Sequence, residues 1–127
     1  MAQPRHLDGV SEFFGFRYEA PGRMRLTIRP DLMNGGGLLS GAVAFSMIDY
    51  TMGSALWMQL TEEESIATLN IAINYVATAR EGDIVCTAEV DRRNRRAATL
   101  TSRVHTDDGR LLATAIGAYS IFPRKRG

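Results

Sequence analysis

The segment 23–29 alternates strictly between polar and apolar side chains, which places its apolar residues on one face and its arginines on the other. This period of two predicts a strand with one buried face. The aromatic segment Phe13 to Tyr18 precedes it, and the Pro21-Gly22 pair between them is a tight-turn signal. The two segments therefore predict a β-hairpin. The buried face of its second strand is predicted to carry Met24, Leu26 and Ile28.

The pattern becomes helical between Gly41 and Gln59, a length that gives about five turns at about 3.6 residues per turn. Apolar residues cover most of the surface of this helix, which predicts that it is buried. Its only charged residue is Asp49. A buried carboxylate costs several kcal/mol of folding free energy unless another group pairs with it or uses it, so Asp49 is a candidate functional residue.

Four strand-like segments follow the helix: Ile66–Ala77, Ile84–Asp91, Ala98–Thr106 and Leu111–Phe122. The polar connections between them are short, which predicts that the strands form an antiparallel meander. The residues that alternation places on one face of the first segment are Leu69, Ile71, Ile73 and Tyr75. Those that it places on one face of the third are Ala98, Leu100, Ser102 and Val104.

Strands, one long apolar helix and a further run of strands predict an α+β fold, in which a curved antiparallel sheet wraps around the helix. The length of 127 residues is that of one domain, and no linker-like segment interrupts residues 1–127. So short a chain leaves one side of the helix uncovered, and association with a second copy is the simplest way to cover it.

Composition and charge exclude several classes of protein. The chain has 15 basic and 14 acidic residues, a balance that gives no reason to expect nucleic acid as a partner. Its apolar runs fall short of the ~20 residues that a membrane span needs, and residues 1–6 do not resemble a signal peptide. Cys86 is the only cysteine and cannot form an intrachain disulfide. We therefore expect a cytoplasmic protein without a membrane partner.

Candidate chemistry lies at the start of the predicted helix. Ser40 is a good N-cap residue, and Gly41 would be the first helical residue, with its N–H free. Such an N–H, aided by the helix dipole, can hold an oxyanion, although Ser40 could be only a cap and Gly41 only a close-packed residue. His6 and His105 have no carboxylate or second ligand at a suggestive spacing, so no metal site is expected.

One motif carries a family resemblance. Asn34, two residues, Gly37, two residues, Ser40-Gly41-Ala42, six residues and Asp49 is similar to the pattern of hotdog-fold acyl-CoA thioesterases of the phenylacetic-acid-degradation type. In that family the pattern is Asn, two residues, Gly, two residues, His-Gly-Gly, six residues, then Asp or Glu. The strand from Thr68, the turn Ala79-Arg80-Glu81-Gly82-Asp83 and the Asp108-Gly109-Arg110 segment also resemble the family. The resemblance covers roughly residues 7–122.

The resemblance implies a hotdog fold and hydrolysis of an acyl-CoA thioester to a free acid and CoA, with no cofactor. It implies that Asp49 is the nucleophile or the general base and that the Gly41 N–H polarises the thioester carbonyl. Asn34 would lie near the same thioester, and Thr68 would help to hold the water. Ser40 and Ala42, which would contact the substrate, replace the family's His and second Gly.

The substrate remains open at this level. Arg80, Arg95 and Arg96 are candidates for contact with the phosphates of CoA, although the arginines at 92–96 could equally form a solvated hairpin tip. The acyl group could be aryl or medium-chain, in a pocket lined in part by Met33, Leu38 and Tyr50. A non-catalytic acyl-CoA-binding protein is the alternative function, and a dehydratase is disfavoured because no histidine lies near the helix start.

The spacing of Gly41 and Asp49 predicts an oligomer. Eight residues of helix separate the two by ~12 Å along the axis, so one helix cannot place both on a single carbonyl. If both act on one thioester, Gly41 of one subunit must meet Asp49 of another across a two-fold axis. We therefore expect a homodimer or a dimer of dimers.

Overall fold

The computed structural model describes residues 8–125 and contains a six-stranded antiparallel sheet and one long helix. The predicted α+β architecture is confirmed. The elements in chain order are α1 (Gly9–Phe14), β1 (Arg17–Ala20), β2 (Arg23–Thr27), a 3₁₀ turn (Pro30–Leu32), α2 (Gly41–Trp57), β3 (Glu64–Tyr75), β4 (Asp83–Arg93), β5 (Ala97–Thr106) and β6 (Leu111–Pro123).

Helix α2 packs on one face of the sheet, and the core lies between them. Met47, Ile48, Met52 and Leu56 of α2 are fully buried, as the apolar pattern of this segment predicts. The sheet side of the core includes the predicted inward residues of β2 and β5, namely Met24, Leu26, Ala98, Leu100, Ser102 and Val104. Among the residues that the structure describes, no helix is long and apolar enough to span a membrane.

The predicted strand Phe13 to Tyr18 is wrong over its first half. Gly9–Phe14 forms the short helix α1, because Asp8 caps it and exchanges hydrogen bonds with Ser11 in a capping box. Strand β1 begins only at Arg17 and pairs with β2, so the hairpin itself is confirmed. Its turn requires Gly22, which has a φ of +74° and whose added Cβ would lie 2.3 Å from the carbonyl oxygen of Ala88.

The predicted meander is confirmed only for β4, β5 and β6. The sheet order is β1-β2-β4-β5-β6-β3, so β3 pairs with β6 and lies at the edge of the sheet. Strand β4 pairs instead with β2, with Cys86 opposite Met24 and Ile84 opposite Leu26. The short connection between β3 and β4 is therefore a crossover and not a hairpin.

A β-bulge at Leu69 changes which residues of β3 face α2. The strand pairs Thr68 with Tyr119 and Asn70 with Ala118, so Leu69 has no partner in the ladder. Leu69 is 61% exposed. The extra residue reverses the alternation, and this is why Thr68 lies on the same face of the sheet as Ile71.

Candidate active site

Two hydroxyl groups hold the carboxylate of Asp49. Thr68 Oγ1 donates a hydrogen bond of 2.7 Å to Asp49 Oδ1, and the Tyr119 hydroxyl donates one of 2.5 Å to the same oxygen. The Tyr119 hydroxyl also lies 2.8 Å from the backbone carbonyl oxygen of Asp49. Within residues 8–125, Oδ2 of this half-buried carboxylate has no hydrogen-bond partner. The described residues therefore hold Oδ1 in place and leave Oδ2 available to react.

The sheet register and a glycine bring these groups together. Thr68 and Tyr119 are directly opposite each other on β3 and β6. Gly117 lies two residues before Tyr119 on the same face of β6, and a Cβ added to it would lie 2.8 Å from the sulfur of Met52. Helix α2 therefore lies closer to β6 than a larger residue at position 117 would allow. This close approach brings Asp49 within reach of the Tyr119 hydroxyl.

Sequence reasoning missed Tyr119, although a signal for it was present. Its position continues the inward alternation of β6 from Ala113 through Gly117, which places a polar hydroxyl on a buried face. Burial, followed by the hydrogen bond to Asp49, raises the pKa of the Tyr119 phenol well above its ordinary range. The phenol therefore stays protonated at neutral pH and acts as a donor.

A cavity of about 390 Å³ opens beside Asp49 and Thr68. Tyr50, Trp57 and Ile66 form much of its apolar lining. The Tyr50 hydroxyl donates a hydrogen bond of 2.5 Å to Asp8 Oδ2, which ties this wall to the start of α1. Of the residues expected to line an acyl pocket, Tyr50 lies here, Leu38 lines a different cavity, and Met33 lines neither of the two.

The start of α2 has the predicted arrangement. Ser40 is the N-cap, and its Oγ accepts a hydrogen bond of 3.2 Å from the Ala42 N–H. The Gly41 N–H has no acceptor among residues 8–125, whereas the Gly41 carbonyl accepts a hydrogen bond of 2.7 Å from the Tyr75 hydroxyl. The helix start thus presents a free N–H together with the positive end of the helix dipole.

Asn34 lies near Gly41 but also shapes its own loop. Its Oδ1 accepts hydrogen bonds from the Gly36 N–H at 2.9 Å and from the Leu38 N–H at 3.2 Å. Its side-chain amide nitrogen donates to no residue of the described chain. Asn34, Gly41 and Ala42 line one cavity of about 490 Å³, and this cavity is separate from the one beside Asp49. Within one chain, therefore, the two candidate catalytic groups face different cavities.

The predicted basic residues lie apart from both cavities. Arg80, Arg95 and Arg96 are exposed, and none of them forms an ion pair with a residue of the described chain. Arg95 and Arg96 line a groove with Phe122 at the end of β6. Arg93 is different, because it donates to Glu64 at 3.1 Å and so joins β4 to β3. Arg93 therefore has a structural role, whereas Arg95 and Arg96 form no ion pair within the described chain.

The histidines form no evident site. His105 is half-buried on β5, with its Nδ1 2.9 Å from the Thr106 carbonyl oxygen, and His6 lies outside the described residues. Residues 8–125 contain no group of three histidine, cysteine or acidic side chains that could hold a metal ion.

Comparison with known proteins decides the family. The model of the Thioesterase superfamily matches residues 36–113, which include the Gly41 helix start, Asp49, Thr68 and the whole of strands β3, β4 and β5. The chain belongs to this superfamily. It is a thioester hydrolase, and the predicted hotdog fold is confirmed.

Solved structures agree with this assignment of the fold. A conserved protein of Pseudomonas aeruginosa is 27% identical, with a TM-score of 0.85 over 93% of this chain and 97% of that one. A phenylacetic acid degradation-related protein of Ralstonia eutropha is 22% identical, with a TM-score of 0.82 over 90% of each chain. A Bacillus halodurans protein solved with CoA is 20% identical, with a TM-score of 0.87 over 93% of this thioesterase and 78% of that chain.

Proposed function

We propose that this thioesterase hydrolyses an acyl-CoA thioester, with Asp49 as its catalytic carboxylate. The observation that carries the proposal is that Asp49 lines a cavity, with Oδ1 accepting two hydroxyl hydrogen bonds and Oδ2 accepting none from residues 8–125. The two donors fix one carboxylate oxygen, and a carboxylate is the group that attacks a thioester or activates water in this mechanism.

Gly41 supplies the complementary charge in this mechanism. Its N–H donates to the thioester carbonyl oxygen, and this hydrogen bond strengthens as the oxygen becomes negative in the tetrahedral intermediate. When the intermediate collapses, the C–S bond breaks and CoA leaves as a thiolate that takes up a proton. The acid is released directly if Asp49 is the base, or after hydrolysis of an anhydride if Asp49 is the nucleophile.

The proposed active site is shared between two subunits. Gly41 and Asp49 are separated by ~12 Å along one helix and face different cavities, so one chain does not offer both to one carbonyl. Two α2 helices that run antiparallel across a two-fold axis would join them. Exposed apolar residues support association of this kind, as a dimer or a dimer of dimers; they include Leu69 on β3, Val76 just after it and Phe45 on α2.

CoA is the proposed carrier of the acyl group. The Bacillus halodurans relative in fold was solved with CoA, and Arg80, Arg95 and Arg96 of this chain are free to bind phosphate. The aromatic lining beside Asp49, from Tyr50 and Trp57, suits an aryl or a medium-chain acyl group. The expected cytoplasmic location remains a prediction.

The predicted alternative, a non-catalytic acyl-CoA-binding protein, is at odds with membership of the Thioesterase superfamily. One observation favours it, because Ser40 stands where the resembling thioesterases have histidine, and Ser40 here serves as a helix cap. The two functions share the same ligand and differ only in turnover, so an assay of hydrolysis separates them.

The experiment is an assay of thiol release from a panel of aryl, medium-chain and short-chain acyl-CoA substrates. Cys86 does not interfere, because it is fully buried and burial raises the pKa of its thiol to about 11. We expect steady release of CoA with at least one substrate. Tight binding of acyl-CoA without any thiol release would contradict the proposed enzyme and support the binding protein.

A further inference from the structure

Tyr119 contacts Asp49 at two points. Its hydroxyl lies 2.5 Å from Oδ1 and 2.8 Å from the backbone carbonyl oxygen of the same residue. The tyrosine is only 2% exposed, so its ring is fixed by the core between α2 and the sheet. A rigid phenol on β6 therefore holds both the side chain and the helical turn of Asp49.

The orientation of an aspartate carboxylate is otherwise weakly determined. The torsion about its terminal bond is broad, so either oxygen can turn toward the cavity unless something holds one of them. Thr68 alone is an incomplete constraint, because it is exposed on an edge strand beside a bulge. Tyr119 comes from the interior of the sheet, where its neighbour Ala98 on β5 is buried.

We propose that Tyr119 is the positioning residue of Asp49: with Thr68 it engages Oδ1 and thereby presents Oδ2 to the thioester or to the attacking water. The assignment rests on the proposed catalytic role of Asp49. In this role Tyr119 acts through the orientation of the carboxylate.

The other ionisable groups that line this cavity do not compete for Asp49. Asp8 accepts hydrogen bonds from the Ser11 N–H and from the Tyr50 hydroxyl, so those two side chains are paired with each other. Tyr119 is the only tyrosine in the described chain whose hydroxyl donates to Asp49. Its removal should therefore act on Asp49 and leave the Asp8–Tyr50 pair intact.

The first test needs no turnover. The carboxyl carbons of aspartate are labelled with ¹³C, and the Asp49 signal is identified by its loss in Asp49→Asn. In Tyr119→Phe the chemical shift of this carboxyl carbon should change, because the carboxylate loses a hydrogen-bond donor. Tyr18→Phe, on β1 at the opposite edge of the sheet from β3, is the matched control and should leave the Asp49 signal in place. An unchanged Asp49 chemical shift in folded Tyr119→Phe would overturn the proposal.

The second test measures hydrolysis. Tyr119→Phe should lower kcat about tenfold while KM stays within about twofold. In an Asp49→Asn background the same substitution should have no further effect, because the two residues act as a unit. An equal loss in both backgrounds would overturn the role of Tyr119. Wild-type turnover by Asp49→Asn would instead refute the proposed function. The NMR experiment would still show whether the Tyr119 hydroxyl contacts Asp49.

Discussion

Thr68 and Tyr119 face each other across β3 and β6, and both of their hydroxyls donate to the same carboxylate oxygen of Asp49. The two hydroxyls thus connect the edge strand β3 and the interior strand β6 to Asp49, the one acidic residue of α2. The position of the carboxylate thus depends on strand register as much as on the helix that carries it.

Substitution of Thr68 should reveal how far turnover depends on its hydroxyl. Thr68→Val keeps the shape of the side chain but removes the donor to Asp49, and we expect kcat to fall about tenfold. Thr68→Ser keeps the hydroxyl and should retain most of the activity. Measurement of kcat and KM for both variants checks this, and equal losses in the two would show that packing, not the hydrogen bond, is responsible.

Gly117→Ala should destabilise the protein. The new Cβ would lie 2.8 Å from the sulfur of buried Met52, so the helix or the methionine must shift, at a cost of about 1–3 kcal/mol in the free energy of unfolding. Gly35→Ala is the control, because its added Cβ has no atom within 4 Å, and its effect should stay within about 0.5 kcal/mol. Denaturant unfolding measures both, and equal stability of the two variants would contradict the close approach of α2 to β6.

Replacement of Arg95 and Arg96 by Ala together should weaken binding of CoA. Both guanidinium groups are exposed and lack an ion-pair partner within residues 8–125, so they are available to phosphate. Wild-type binding should also weaken as salt is added, and the double variant should be less sensitive to salt. Arg103→Ala, an exposed arginine on β5 that does not line this groove, is the control. Calorimetry that finds the same affinity in the double variant and the wild type would leave this cluster as a solvated turn.

The shared active site predicts complementation between two inactive variants. Gly41→Pro removes the N–H that would hold the oxyanion, whereas Gly41→Ala adds the same Cβ against Tyr75 but keeps the N–H. Gly41→Pro should therefore be far less active than Gly41→Ala. When Gly41→Pro and Asp49→Asn chains are refolded together in equal amounts, about a quarter of the wild-type activity should return, because half of the dimers carry one intact site.

The control for complementation is proof that mixed dimers form, for example by mass spectrometry of intact complexes. If mixed dimers are present and activity stays at the level of the separate variants, the two groups do not act on one thioester. Either Gly41 or Asp49 would then have been given the wrong role.

Much of the fold could be predicted from the sequence where one residue pattern dominates. The largely apolar α2 and the alternating β2 were both predicted, because burial of apolar side chains leaves a pattern in the sequence of each. Helix α1 was missed, since its aromatic residues suggest a strand and only the capping box of Asp8 and Ser11 reveals a helix. The position of β3 in the sheet was missed because the short connection between β3 and β4 predicts that these two strands pair. In the structure β2 occupies that edge of β4, and β3 pairs with β6.

The site was predictable in part for the same reason. Asp49 and Gly41 stand out by their positions in an apolar helix and at its start. Thr68 could be named from resemblance alone, because simple alternation along β3 places it away from Asp49 and only the bulge at Leu69 returns it. The alternation along β6 places Tyr119 on the buried face, but that it lies opposite Thr68 depends on the pairing of β3 with β6, which no local pattern in the sequence contains.

The most direct test of the account is the turnover of Asp49→Asn. This substitution keeps the size of the side chain and its acceptor oxygen while removing the negative charge, so the fold should be retained. With an acyl-CoA that the wild type hydrolyses, we expect kcat/KM to fall at least about a hundredfold while CoA binding is kept. Wild-type hydrolysis by a folded Asp49→Asn protein would contradict the central claim that this carboxylate performs the chemistry.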